Sequence, residues 1–231
     1  MEGYRLKEYS CFTSAGACFI LSVVYVASLY VWNSPHNRDH PSTIKKRFFS
    51  VFIMMFVSPL FLYYFSQEHI LQKATLWQLL GLRLHGLLPA IVIPMFLTMV
   101  LFLGPLSMQG FSGLWKLYAA HFHHMVERMR NGLDFKRALM ISCFQFSYTT
   151  LFGAYSAFLF AKTGHFVAPF AAHAFCNHMG FPDFAEILTY KDPQRIILIS
   201  LFFIGLLGWC ALLTPLTNPA LYDNHLFWKN N

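Results

Sequence analysis

An all-α, multi-pass transmembrane helix bundle is the fold class this sequence predicts, and three observations predict it. The 231 residues are 56% hydrophobic and only 12% charged, whereas soluble domains carry about 25% charged residues. The apolar residues gather in runs close to the roughly 20 that a helix needs to cross a bilayer. Lipid also leaves every backbone polar group to be satisfied internally, which admits only helices and closed barrels. A chain of this length accommodates about 5–6 such spans with short loops. No internal repeat or low-complexity linker interrupts it, so residues 1–231 read as a single transmembrane domain.

The first run, Cys11 to Trp32, reads as a retained span. A cleavable signal peptide has a core of only about 7–15 residues and a small-residue cleavage site, and Asn33-Ser34-Pro35-His36 is a poor one. Lys45-Lys46-Arg47 precedes the second run, Phe48 to Ser66. The mixed segment Gln67–His85 reads as an interfacial helix. Gly86–Gly104 forms the third run. Arg128, Arg130, Lys136 and Arg137 precede the fourth, Ala138–Phe160. A shorter and more polar stretch covers Phe166–Phe181, and Ile196–Thr214 closes the series. Both basic loops face the cytosol by the positive-inside rule, which puts the N-terminus on the opposite side. Pro59, Pro89, Pro94 and Pro169 fall inside runs and are expected to kink them.

The net charge of +7 does not point to nucleic acid, because the cations sit between apolar runs. Orientation and anionic lipid headgroups account for them. The five cysteines lie in apolar stretches without a CxxC, which argues against a disulfide framework.

Polar residues at membrane depth need partners or a task. His173 and Asn177 stand four residues apart and share one face of a helix. Two convergent donors of this kind can receive a carbonyl and the negative charge that develops on it; a structural hydrogen bond between helices is the competing reading. His121, His123 and His124 form a histidine cluster, but only His121 and His124 share a face. Glu127 lies within reach of His123 or His124 and about 240° around the helix from His121. For His123, His124 and Glu127 a solvated helix end is the plainer reading. Gln145, Ser147, Tyr148, Thr149 and Thr150 fall mid-run, where they bond neighbouring helices or line a polar cavity. His165 reads as a loop histidine at the membrane surface and His178 as a boundary residue. No ligand set has metal spacing, so neither a metal nor a cofactor is expected. The absence of intramembrane acids and of a repeat disfavours a transporter.

Four segments together carry a resemblance: HFHH at 121–124, FQFSYTTLFGAYSAFLFAKTGH at 144–165, HAFCNHMGFP at 173–182 and TPLTNPALY at 214–222. They resemble the eukaryotic CAAX prenyl endopeptidase family, also called the Ras-converting enzymes, most strongly over residues 120–222. The resemblance implies a multi-pass protein of the endoplasmic reticulum membrane. It implies an endopeptidase that removes the C-terminal tripeptide from farnesylated or geranylgeranylated CAAX proteins such as small GTPases. In that family a glutamate from a Glu-Glu pair acts with a histidine to activate water, and the His and Asn of an HxxxN motif stabilise the oxyanion. By motif, His121 matches the water-activating histidine, and His173 and Asn177 match the oxyanion pair.

One element of the family pattern is missing. The glutamates are Glu2, Glu8, Glu68, Glu127 and Glu186, with no adjacent pair, and only 16 residues separate Gly104 from His121. The expectation is that a segment bearing the Glu-Glu pair is absent here. Beside the enzyme stands an alternative: an inactive variant that binds prenylated peptide or the full-length enzyme.

Overall fold

The computed structural model describes residues 11–32, 40–66, 68–112, 135–182 and 184–228. All regular structure among them is helical, and the protein is an all-α membrane protein. Its contacts divide it into two compact units, Met1–Leu80 and Gly81–Asn231.

The first unit pairs α1 (Cys11–Ser28) with α2 (Pro41–Phe65), followed by short helices α3 (Glu68–Lys73) and α4 (Leu76–Leu79). α2 begins seven residues before the apolar run at Phe48. Pro41 suits the first helical position, where its missing N–H costs nothing, and His40 caps the end by accepting from the Ser42 N–H. Lys45, Lys46 and Arg47 are therefore helical, not part of a loop. Ser50 is buried between the two helices. It donates to the carbonyl of Ser28 at 2.7 Å and accepts from the Trp32 indole at 2.7 Å. The expected interfacial helix over 67–85 is broken by a capping box: Thr75 accepts from the Gln78 N–H, and the Gln78 side chain accepts from the Thr75 N–H. These mutual bonds start a new helix at Leu76.

The second unit comprises α5 (Leu87–Leu101), α6 (Leu103–Ser112), α7 (Phe135–Thr163), α8 (Val167–Met179), α9 (Phe184–Ile187) and α10 (Gln194–Leu216), then a single 3-10 turn at Pro219–Tyr222. Buried Ala90, Ala168 and Tyr222 meet in one cluster. Asn224 donates to the carbonyls of Ala161 and Lys162 at the end of α7. The starts of α5 and α8 thus gather with the ends of α7 and α10, so α5 and α8 run antiparallel to α7 and α10.

The third apolar run does not make one straight span, because α6 leaves α5 at 69°. Pro105 has no N–H to give the Leu101 carbonyl, so the helix cannot continue. The freed carbonyls face α10 at Gly205, where a Cβ would lie 2.7 Å from the Val100 oxygen and 3.3 Å from that of Leu101. Only glycine allows that approach. Pro89 and Pro169 fall in the first turns of α5 and α8 and kink neither, since first-turn N–H groups have no intrahelical partner to lose.

Among the described residues, α2 and α10 are each long and apolar enough to cross a membrane, and the bent pair α5–α6 adds a third span if counted as one. The remaining expected segments are also helices: α1 is short, α7 runs 29 residues, and α8 has only 13.

Candidate functional site

α8 carries the HxxxN pair. No side chain caps its start. Its C-terminus closes at Gly180, whose φ of 67° lies in the left-handed region, open to glycine without steric cost. The turn directs Phe181 and Pro182 away from the helix three residues after Asn177.

His173 and Asn177 both lie exposed on one face of α8. Asn177 Nδ2 sits 2.9 Å from His173 Nε2. In this arrangement the amide donates to an unprotonated Nε2, which leaves the imidazole proton on Nδ1. Asn177 keeps its second amide N–H, so two N–H donors remain for an incoming oxygen. The histidine ring is backed by Phe152 of α7, with centroids 5.2 Å apart. Across from α8, Phe102 at the α5–α6 bend meets Phe175 edge-on at 5.4 Å.

Next to this pair lies a cavity of about 510 Å3, within the roughly 300–1,000 Å3 of small-molecule sites. Phe181, Pro182, Phe184, Phe202 and Leu206 line it with Gly180, and every other lining residue is apolar as well. It opens where the α5–α6 bend parts from α10. Phe181 joins it to α7, with its ring 5.3 Å from that of Tyr148.

The mid-helix hydroxyls of α7 neither bridge helices nor line a cavity. Ser147 donates to the Cys143 carbonyl and Thr149 to that of Gln145, each at 2.8 Å. Such bonds to the preceding turn satisfy a hydroxyl without any tertiary partner. The interhelical polar contact is made instead by Thr98 of α5 and Tyr155 of α7, whose hydroxyl oxygens are 3.1 Å apart.

His165 is fully buried, contrary to the expectation of a surface histidine. The glycine turn before α8 folds it inward against the backbone of His85 and Tyr222, and neither ring nitrogen reaches hydrogen-bond geometry. Burial, and then the neighbouring Arg83 cation, hold its pKa below the ordinary 6.5. His121 and the rest of the histidine cluster, with Glu127, lie outside the described residues. Among the described residues no three His, Cys, Asp or Glu side chains are arranged to hold a metal.

Phe152, Tyr155 and the cavity were not singled out by sequence reasoning. Phe152 and Tyr155 fall in the long motif at 144–165 but carry no signal beyond apolar or aromatic character. The cavity depends on the bend at Pro105.

Comparison with known proteins gives consistent relatives. The chain is 35% identical to the human protein named CAAX prenyl protease 2, with 93% of this chain and 84% of that protein covered. It is 30% identical to the rat protein of the same name, with 93% and 83% covered. An Arabidopsis thaliana protein of that name is 40% identical over 106 residues, 46% of this chain and 32% of its own length. The human alignment runs over 278 positions, more than the 231 residues here, so at least 47 positions (278 less 231) have no residue of this chain opposite them. No family model matches, and no solved structure matches.

Proposed function

The chain belongs to the CAAX prenyl protease 2 family, and on that premise we propose that it is an intramembrane endopeptidase of prenylated CAAX proteins, working in the endoplasmic reticulum membrane. The observation that carries the reading is the adjacency of two environments of opposite character. A hydrogen-bonded His–Asn pair lies on α8, and a wholly apolar cavity begins at Gly180, less than one helical turn further on. A substrate of this class presents the same two parts: a lipidated cysteine, and an amide carbonyl just after it. The isoprenoid enters the cavity from the bilayer, which fixes the register. The scissile carbonyl then meets His173 and Asn177, whose N–H groups receive the charge of the tetrahedral intermediate. His121 assists the attacking water. Removal of the tripeptide leaves a prenylcysteine carboxylate.

A second reading follows from the missing Glu-Glu pair and the 47 or more unmatched positions. Losing a general base commonly costs about 10²–10⁴-fold. A chain that kept the cavity and the HxxxN pair without that base would bind prenylated peptide, or the full-length enzyme, without cutting. One preparation separates the two readings. The purified chain in lipid nanodiscs is given a farnesylated CAAX peptide, and tripeptide release is compared with that of His173→Ala. Release that vanishes in the variant establishes the protease. No release, with labelling by a photoreactive prenylated peptide, establishes the binder. Neither release nor labelling by a folded chain removes both.

A further inference from the structure

The first unit holds a group of charges that the proposed chemistry does not use. Lys45, Lys46 and Arg47 occupy consecutive positions in the second turn of α2. Steps of about 100° per residue spread them as a half-collar around the helix at one level. Neither 11–32 nor 40–66 contains an acidic residue to neutralise them. Lys45 is exposed. The Arg47 guanidinium lies 5.5 Å from the centre of the Tyr30 ring, and its Nε is buried without a hydrogen-bond partner.

Below this collar one stripe of α2 is apolar. Lys45, Phe49, Phe52 and Phe56 follow an i, i+4, i+7, i+11 pattern, which keeps them on one face. Phe49, Phe52 and Phe56 are 52%, 56% and 60% exposed. Phe52 and Phe56 stack edge-on at 5.2 Å. Trp32 lies edge-on to Phe49 at 5.9 Å, with its indole N–H held by Ser50. Trp and Tyr at the head of an apolar span mark the level of the lipid headgroups.

We propose that this face of α2 is a binding site for an anionic phospholipid, with the phosphate and acidic headgroup on the Lys45–Arg47 collar and an acyl chain along Phe49, Phe52 and Phe56. Charge complementarity selects the headgroup. The aromatic stripe selects a lipid over a soluble anion, because a free phosphate has nothing to place against three exposed phenyl rings. Each cation near an anionic surface contributes about fivefold to such selectivity.

The test uses the full chain in nanodiscs of phosphatidylcholine doped with phosphatidylserine. Lipid retained by the protein is counted by native mass spectrometry after detergent release. Phosphatidylserine is expected to be enriched over its share in the disc. Lys45→Gln with Arg47→Gln should lower that enrichment by an order of magnitude or more. Lys45→Arg should preserve it. Lys162→Gln serves as a control, since Lys162 lies 3.8 Å from the centre of the Trp228 ring in the other unit, and it should change nothing. Equal retention of both lipids overturns the proposal, as does enrichment unaltered in a double variant that melts like the parent. Full displacement of phosphatidylserine by millimolar inorganic phosphate also overturns it, by showing a site for a soluble anion.

Discussion

The ring of Phe152 on α7 stands 5.2 Å from the imidazole of His173 on α8, tilted by 44°. The histidine is thus oriented by two contacts of different kinds, a phenyl face from a neighbouring helix and the Asn177 amide from its own. A side chain with two rotatable bonds and two such contacts loses little freedom when substrate arrives. Phe152→Ala removes the tertiary contact and leaves the amide bond. The expected result in the tripeptide-release assay is a kcat about tenfold lower with little change in KM, because modest misplacement of a catalytic group costs rate.

Asn177→Asp keeps the size of the side chain and replaces the amide donor with a carboxylate. A negative charge where the oxyanion forms opposes the transition state. The expected loss is at least the roughly 10²–10³-fold seen when an oxyanion donor is removed. Crosslinking to a photoreactive prenylated peptide should survive. Activity within a few-fold of the parent would show that this amide does not face the reacting oxygen.

Leu206 lines the apolar cavity and is partly exposed beside it. Leu206→Trp fills part of the volume without adding charge. KM for a farnesylated peptide should rise by about an order of magnitude, on the scale of a lost methylene-sized contact or two. Thermal unfolding in nanodiscs should be unchanged. An unaltered KM would place the isoprenoid elsewhere.

Gly205→Ala puts a methyl group 2.7 Å from the Val100 carbonyl oxygen. That oxygen belongs to backbone already bent at Pro105, so relief requires helices α5 and α10 to part. Overpacking of this kind costs about 1–3 kcal/mol. The thermal midpoint should fall by several degrees, while Gly110→Ala, with nothing near its Cβ, should not lower it by that amount.

His165 gives a pH dependence with a definite sign. Its folded pKa lies below the ordinary 6.5, chiefly through burial. The unfolded chain therefore takes up the proton first as pH falls. The neutral ring contributes its full stability above about pH 6.5, and that contribution declines below it until the folded pKa is passed. Unfolding midpoints at pH 7.5 and 5 should differ more for the parent than for His165→Gln. Equal differences would mean that other histidines carry the effect.

Much of this was legible in the residues themselves. Apolar runs marked the helices because lipid penalises every unsatisfied peptide group, and the boundaries moved only where local chemistry acted: Pro41 and His40 extended α2 upstream, and the Thr75–Gln78 box divided the interfacial segment. His173 and Asn177 were legible as a pair because helical periodicity is a property of the chain alone. His165 was not. A polar residue after a glycine reads as surface, and only the converging ends of four helices bury it.

Composition and periodicity alone determined that this chain is a helical membrane protein with a His–Asn pair on one helix face, since both follow from forces acting within a few turns of backbone. Tertiary structure decided what surrounds that pair. Pro105 turns the chain by 69°, Gly205 lets α10 close on the bend, and Gly180 releases Phe181 toward the gap. An apolar cavity arises from three separate segments meeting, and no single segment contains the distance between itself and the others.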